Sequence, residues 1–214
     1  SYKALNEETP EAMEHLRNEY SATLTMMDHW FGTFIQKLKD TGIYDESLIV
    51  VTSDHGHMLG EHGFAAKNFM PAYQELVHIP LFVHLPGSAY AGKRISSLTQ
   101  NIDLMPTFLE YFKTETPKTV QGKSLLPMIP HDTPVRDKAV YGWFGKAVNV
   151  TDGTHTYFRA PVSEDNQPCF LYGAMPTTFL KYWDIKPGDY EMGTFLPYTD
   201  YPVYKVRYRV EGHY

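Results

Sequence analysis

Asp54 and His55 follow directly after an apolar run, Leu48 to Val51, and precede Gly56. A strand that ends in this way presents an anionic oxygen and a neutral ring nitrogen at its carboxyl end, where open α/β sheets place their chemistry. Both atom types bind divalent cations, and Gly56 lets the backbone turn sharply. The pattern predicts a strand in a parallel sheet with two metal ligands at its end, although a bare Asp-His pair is more often a capping Asp beside a surface His.

Two further histidines, His57 and His62, flank the same predicted loop. Loop histidines are usually surface residues. His57 and His62 are candidates to line a substrate pocket only because they lie close in sequence to Asp54 and His55. His62 is the better candidate, because Gly60 and Gly63 bracket a sharp bend around it.

The elements that must position these side chains begin with a long helix. Thr9-Pro10 is typical of an N-cap followed by proline in the first turn, and Gly42 lies just past the predicted end. Apolar residues recur at steps of three and four from Met13 to Leu38, which predicts an amphipathic helix whose apolar stripe faces the core.

Further elements are marked by local signals. Residues 79–85 form a second strand candidate, and Asn101 to Phe112 predicts a turn followed by a short helix. Asp152-Gly153 favours a hairpin between two β segments. Between residues 114 and 138 the composition shifts to Thr, Pro, Lys and Asp, which indicates a surface connection.

The composition excludes several classes of protein. An apolar fraction of 43% with 21% charged residues is typical of a globular chain, and the net charge of −6 without a Lys/Arg block gives no support for nucleic-acid binding. No apolar run is long enough to span a membrane. The single cysteine, Cys169, rules out an internal disulfide, and we expect it to be an inert buried thiol.

In order and spacing, these segments resemble the carboxyl-terminal half of a type I sulfatase of the alkaline phosphatase superfamily. Within it, they resemble the iduronate-sulfatase-like members most closely in motif, because His rather than Asn follows Asp54. The resemblance runs through most of the first 160 residues. It rests on these segments: residues 42–56, residues 59–63, Lys67, residues 78–81 and 85–87, residues 102–107, residues 121–127, and Asp152-Gly153 with residues 157–159.

The resemblance implies roles for particular residues. Asp54 and His55 match ligands of a divalent cation, usually calcium, and Lys67, about a dozen residues later, matches a lysine that contacts the sulfate oxygens. Charge builds on those oxygens in the transition state of sulfate ester hydrolysis, so a cation and an ammonium would stabilise it. We predict Lys67 and His62 as catalytic residues. Trp143, His155 and Arg159 lie where the family places residues that recognise substrate.

The resemblance also implies a fold. It is an alkaline-phosphatase-like three-layer α/β/α sheet, present in part, over residues 1–134. A small antiparallel α+β subdomain follows over residues 135–214.

One diagnostic feature of the family is missing. Sulfatases carry a Cys-x-Pro-x-Arg or Ser-x-Pro-x-Arg segment whose first residue becomes formylglycine, and neither pattern occurs here. We therefore expect a fragment of a sulfatase that has no turnover by itself. An uncovered sheet would favour self-association.

The function predicted for the parent is hydrolysis of the sulfate monoester of a small molecule or carbohydrate, and export to the periplasm or outside the cell follows from the family's habits alone. A phosphate or phosphonate monoester hydrolase of the same superfamily is the first alternative. A non-catalytic interaction or structural module is the second.

Overall fold

The computed structural model describes residues 9–67, 70–163, 166–177, 186 and 188–208. Its helices are α1 (Pro10–Asp40), α2 (Gln74–Val77) and α3 (Leu104–Tyr111). Its strands are β1 (Ile49–Thr52), β2 (Met58–Leu59), β3 (Ala65–Ala66), β4 (Leu81–His84), β5 (Ala139–Gly142), β6 (Val148–Thr151), β7 (Thr156–Arg159), β8 (Phe170–Gly173), β9 (Tyr190–Gly193) and β10 (Val203–Arg207).

The first helix begins and ends where its capping residues predict. The Thr9 hydroxyl accepts a hydrogen bond from the Ala12 N–H at 3.2 Å, and Pro10 occupies the first helical position. At the other end Gly42 adopts a left-handed conformation (φ +77°). The predicted packing of the helix is wrong for the described residues, since no residue of α1 is buried.

Strand β1 carries Asp54 and His55 just beyond its end, and it pairs with β4 in a two-stranded sheet. The pairing is antiparallel, so the expectation of a parallel neighbour is wrong for this pair. The reason lies in residues 53–80, where the helix α2 is only four residues long. A parallel return needs a crossover that carries the chain back along the sheet. Here the chain enters β4 at the same end of the sheet at which β1 finishes, so β4 runs antiparallel to β1.

The later part of the described chain holds two three-stranded antiparallel sheets, with strand orders β5-β6-β7 and β8-β10-β9. The hairpin predicted at Asp152-Gly153 joins β6 to β7. The Asp152 carboxylate closes its turn by accepting hydrogen bonds from the N–H groups of Thr154 and His155 at 2.8 and 2.7 Å.

Cys169, expected to be buried, is half-buried. The proposed boundary near residue 134 stays a prediction, and residues 178–185 and 209–214 of the second unit lie outside the described residues.

A buried ion pair ties the start of α3 to the segment that leads into these sheets. Asp103 is fully buried, pairs with Arg136, and accepts the backbone N–H groups of Gln100 and Lys123 at 2.8 and 2.9 Å. Burial acts to raise the pKa of Asp103, but these donors outweigh it and hold the pKa below its usual range. Removing one partner would leave a buried charge uncompensated, so the pair fixes this junction.

The best-enclosed apolar cluster lies beneath the loop that follows β1. Met58, Met70 and Leu76 are buried there, and partly buried side chains pack around them: Phe64, Tyr73, Val77 and Trp143. In the described part of the chain, every helix is too short or too polar to cross a bilayer.

Candidate active site

The loop after β1 is held at Gly56 by the backbone of α2. The Gly56 N–H donates to the Leu76 carbonyl at 2.8 Å. A Cβ at Gly56 would lie 1.8 Å from the Glu75 carbonyl oxygen, so no larger residue fits without displacing backbone. The glycine after Asp54 and His55 is therefore required for close approach of two backbone segments.

The tautomer of His55 follows from this turn. His55 Nδ1 lies 2.8 Å from the Gly56 carbonyl oxygen, which can only accept, so the proton is assigned to Nδ1. Nε2 then carries the lone pair of the ring. The anchoring of one ring nitrogen by a carbonyl is an arrangement that metal-binding histidines use.

Asp54 and Lys67 both lie close to His55 Nε2. The Lys67 ammonium is 2.5 Å from this nitrogen, and Asp54 Oδ2 is 3.4 Å from it. The sequence-predicted trio of Asp54, His55 and Lys67 thus comes together, with the Asp54 carboxylate largely exposed to solvent (82%). One anion, one ring nitrogen and one cation converge at the end of β1.

The spacing of Asp54 and His55 fits a divalent cation. Two ligands at right angles, each about 2.4 Å from a cation, lie about 3.4 Å apart, which matches the observed separation of Asp54 Oδ2 from His55 Nε2. Within the described ranges, no group of three or more His, Cys, Asp or Glu side chains could hold a metal. Asp54 and His55 could supply two ligands, which is fewer than a divalent cation needs.

The electrostatics of the loop keep Asp54 anionic. Desolvation acts to raise the pKa of Asp54, but the contacts with His55, the backbone N–H groups and Lys67 outweigh it and lower the pKa. Burial lowers the pKa of His57, and the charge of Lys67 lowers it further.

Neither of the two flanking histidines joins the trio through a hydrogen bond or ring contact. His57 stacks on Tyr20 of α1, with ring centroids 5.9 Å apart. His62 stacks on Tyr73 at 4.0 Å, and its Nε2 lies 3.4 Å from Glu75 Oε1. Its positive φ of 53° reflects the bend expected around it. A catalytic role for His62 stays a prediction.

The late residues expected at the substrate lie on or beside the β5-β6-β7 sheet. Arg159 is exposed at the end of β7, and His155 is exposed in the hairpin turn, 3.6 Å from the Asp152 carboxylate. Trp143 is different, because its indole N–H donates to the Met70 carbonyl at 3.0 Å. It packs on the core beneath the loop that follows β1, residues 53–67, which we call the site loop.

Comparison with known proteins decides the family. The model of the sulfatase family matches residues 1–114, which is more than half of the chain. The chain belongs to the sulfatase family. The match contains α1, β1, the site loop and β4, so it covers every residue of the predicted trio.

Curated sulfatases and related enzymes are similar over a comparable stretch. An N-acetylglucosamine-6-O-sulfatase of Bacteroides thetaiotaomicron is 37% identical over 130 residues, which are 59% of this chain and 23% of that protein. A multifunctional alkaline phosphatase superfamily protein of Trinickia caryophylli is 36% identical over 123 residues, 57% of this chain and 24% of that protein. This sulfatase-family chain spans about a quarter of the length of the curated relatives it matches.

Solved structures place the chain in the fold of sulfatases and phosphonate hydrolases. A structure in complex with its substrate D-glucosamine-2-N,6-O-disulfate aligns with a TM-score of 0.57 at 33% identity, over 62% of this chain and 29% of that one. The phosphonate monoester hydrolase of Silicibacter pomeroyi aligns with a TM-score of 0.59 at 30% identity, over 71% of this chain and 35% of that one. The expected alkaline-phosphatase-like α/β fold, present in part, is confirmed.

The structure adds neighbours of His62 that sequence reasoning missed. At the start of α2, Tyr73 stacks on the His62 ring and Glu75 Oε1 lies 3.4 Å from its Nε2. No spacing rule connects a loop histidine to a Glu in the next short helix. The nearest segment of the sulfatase resemblance on this side, residues 78–81, begins three residues after Glu75.

Proposed function

We propose that this chain supplies part of the active site of a sulfatase whose catalytic domain is longer than the chain itself. The observation that carries the proposal is the convergence of Asp54 Oδ2 and Lys67 Nζ on His55 Nε2 within 3.4 Å. In the proposed assembly Asp54 and His55 are ligands of a divalent cation, for which we propose calcium. The nucleophile, a formylglycine, would come from outside the chain.

The chemistry follows from the charges of these residues. A bound cation would neutralise negative charge on the sulfate group and on the attacking oxygen of the nucleophile. Because His55 Nε2 has one lone pair, it cannot serve the cation and Lys67 together. Lys67 therefore turns to the sulfate, where its ammonium stabilises an oxygen that gains charge in the transition state. His62 enters the proposal as a residue beside the substrate, at the bend between Gly60 and Gly63.

The substrate we propose is a sulfated carbohydrate. Two of the matched proteins support it, since one is named for N-acetylglucosamine 6-O-sulfate hydrolysis and the other was solved with a disulfated glucosamine.

We also propose that the chain belongs to the iduronate-sulfatase-like members, because His stands at position 55, and that it is exported from the cytoplasm. By itself the chain is expected to release no 4-nitrophenol from 4-nitrophenyl sulfate.

A chimaera tests the site directly. The segment of the Bacteroides relative that corresponds, through the sulfatase family model, to residues 42–114 is replaced by the sequence of this chain, and sulfate release from N-acetylglucosamine 6-sulfate is measured. We expect activity that falls about 100-fold or more in Lys67→Met, since one preorganised charge contributes about that much. Lys113→Met, at an exposed lysine inside the exchanged segment, is the control and should leave the rate unchanged. A folded, active chimaera that is indifferent to Lys67→Met would contradict the proposed role.

The second candidate function, phosphonate or phosphate monoester hydrolysis, is favoured by the likeness to the Silicibacter phosphonate hydrolase over 71% of the chain. Both ester classes carry anionic oxygens that a cation and an ammonium can bind. The same segment placed in that host decides between the two. Turnover retained only in the phosphonate hydrolase host would favour the alternative.

A further inference from the structure

Met70, three residues after Lys67 in the sequence, is anchored by a side chain that is distant in sequence. The Trp143 indole N–H donates to the Met70 carbonyl at 3.0 Å, across 73 positions of sequence. Met70 is completely buried, so its carbonyl has few alternatives to this donor. Trp143 follows β5 directly and lies outside the stretch that matches the sulfatase family model.

The core that Trp143 joins supports both ends of the site loop. Met58, which begins β2, and Leu76, whose carbonyl accepts the Gly56 N–H, belong to this core together with Met70. Gly56 is thus held where the loop leaves β1, and Met70 is held three residues after Lys67. On its other side Lys67 follows β3, which is paired with β2.

We propose that Trp143 is a positioning residue for Lys67, which it restrains by fixing Met70. The inference rests on the proposed function, because it assumes that Lys67 is the residue that binds the anion. Three peptide units limit the Cα of Lys67 to within about 11 Å of the Cα of Met70, so a displaced Met70 changes where the ammonium can reach. A displacement of about 1 Å in a reacting group is enough to cost on the order of 100-fold in rate.

The β5-β6-β7 region therefore supports the loop that carries Lys67. Trp143 was expected to recognise substrate, whereas its indole is engaged with the loop backbone. Phe158 of β7 contributes to the same junction, since its ring lies 6.5 Å from that of Tyr73. The geometry of Lys67 therefore depends on residues beyond the part of the chain that the family model matches.

The test compares two tryptophan variants of the full chain by NMR. Trp143→Phe keeps an aromatic ring and removes the N–H, and Trp30→Phe is the matched control because Trp30 is exposed on α1 (62%). The readout is the ¹⁵N shift of His55 Nε2, which reports the Lys67 contact, with Lys67→Met as the reference for a lost contact. We expect Trp143→Phe to move the shift most of the way to the Lys67→Met value and Trp30→Phe to leave it in place.

The outcomes separate the inference from the proposed function. If Lys67→Met itself leaves the His55 shift unchanged in the wild-type background, the proposed site fails. If Lys67→Met moves the shift and a folded Trp143→Phe does not, only the positioning role is overturned.

A second measurement needs no variant. The Trp143 indole N–H of the unmodified chain should exchange with solvent at least about tenfold more slowly than that of Trp30, as expected for a hydrogen bond against a buried core. Equal exchange rates would overturn the inference even if Trp143→Phe did not fold.

Discussion

Two apolar surfaces of this chain contrast sharply. Beneath the site loop, Met58 and Met70 are completely buried among side chains of the same chain. Along α1, Leu24 and Met27 are 61% and 59% exposed, and Phe31 and Phe34 continue the stripe. The first surface is enclosed by the described fold, and the second is not.

The difference shows which contacts stabilise the described structure. The accessible surface is 15740 Å² for a chain of 24.6 kDa, whereas the usual scaling for a folded monomer gives about 10,100 Å². Apolar area that stays in water contributes nothing to the hydrophobic stabilisation of the chain. We infer that the site loop has its own support, and that α1 gains support only when another surface covers it.

The largest expected effect comes from matched methionine truncations. Met58→Ala removes a fully buried side chain and should lower the free energy of unfolding by about 2–5 kcal/mol. Met27→Ala, on the exposed stripe, should change it by no more than about 0.5 kcal/mol. Urea unfolding followed by far-UV circular dichroism measures both. Equal losses would show that the stripe is covered in solution.

Glycine substitutions should have opposite signs in the two regions. Gly56→Ala places a Cβ 1.8 Å from the Glu75 carbonyl oxygen, and the resulting backbone shift should cost about 1–3 kcal/mol. Gly32→Ala meets nothing within 4 Å in the middle of α1, so the better helix former should add about 0.5–1 kcal/mol. Thermal unfolding of the two variants gives the signs. A stabilising Gly56→Ala would contradict the close approach.

Sequence reasoning succeeded where the signal is local. Thr9 and Pro10 predict the start of α1, and Asp152-Gly153 predicts its hairpin, because a cap or a tight turn is decided by a few neighbouring residues. Asp54 and His55 were found in the same way, because they follow a strand end. Lys67 came with the family resemblance instead.

Sequence reasoning failed where the outcome depends on distant partners. The apolar stripe of α1 predicts burial, but periodicity says which face is apolar and not whether anything covers it. The antiparallel pairing of β1 with β4 depends on the route of residues 53–80, which no short motif reports. The Trp143 contact to Met70 spans 73 positions, and a single sequence carries no trace of such a pair.

The enclosed part of the fold should also respond to acid in a way that the exposed stripe does not. The pKa of Asp103 is lowered in the folded state, so its ionisation stabilises the fold at any pH above the unfolded value of about 3.9. That contribution is lost as the pH falls through about 4 toward the lowered folded pKa. Unfolding measured from pH 7 to pH 3 should show this loss, and Asp103→Asn, already destabilised, should show less of it. An unchanged pH slope in that variant would argue against Asp103 as the responsible group.

The smallest effect expected is on association, and it concerns the stripe alone. The sequence predicts self-association through an uncovered sheet, and the structure adds the exposed apolar stripe of α1, formed by Leu24, Met27, Phe31 and Phe34, as a surface that a second copy could cover. An exposed apolar patch of this kind usually marks an interaction surface. Met27→Glu at the centre of the stripe should weaken the dimer by roughly tenfold, about 1.4 kcal/mol, while Glu14→Gln outside it should not. Sedimentation equilibrium over a range of concentrations measures both constants. A wild-type chain that stays monomeric at high concentration would contradict self-association and would leave a different surface, such as the rest of a longer catalytic domain, as the partner of α1.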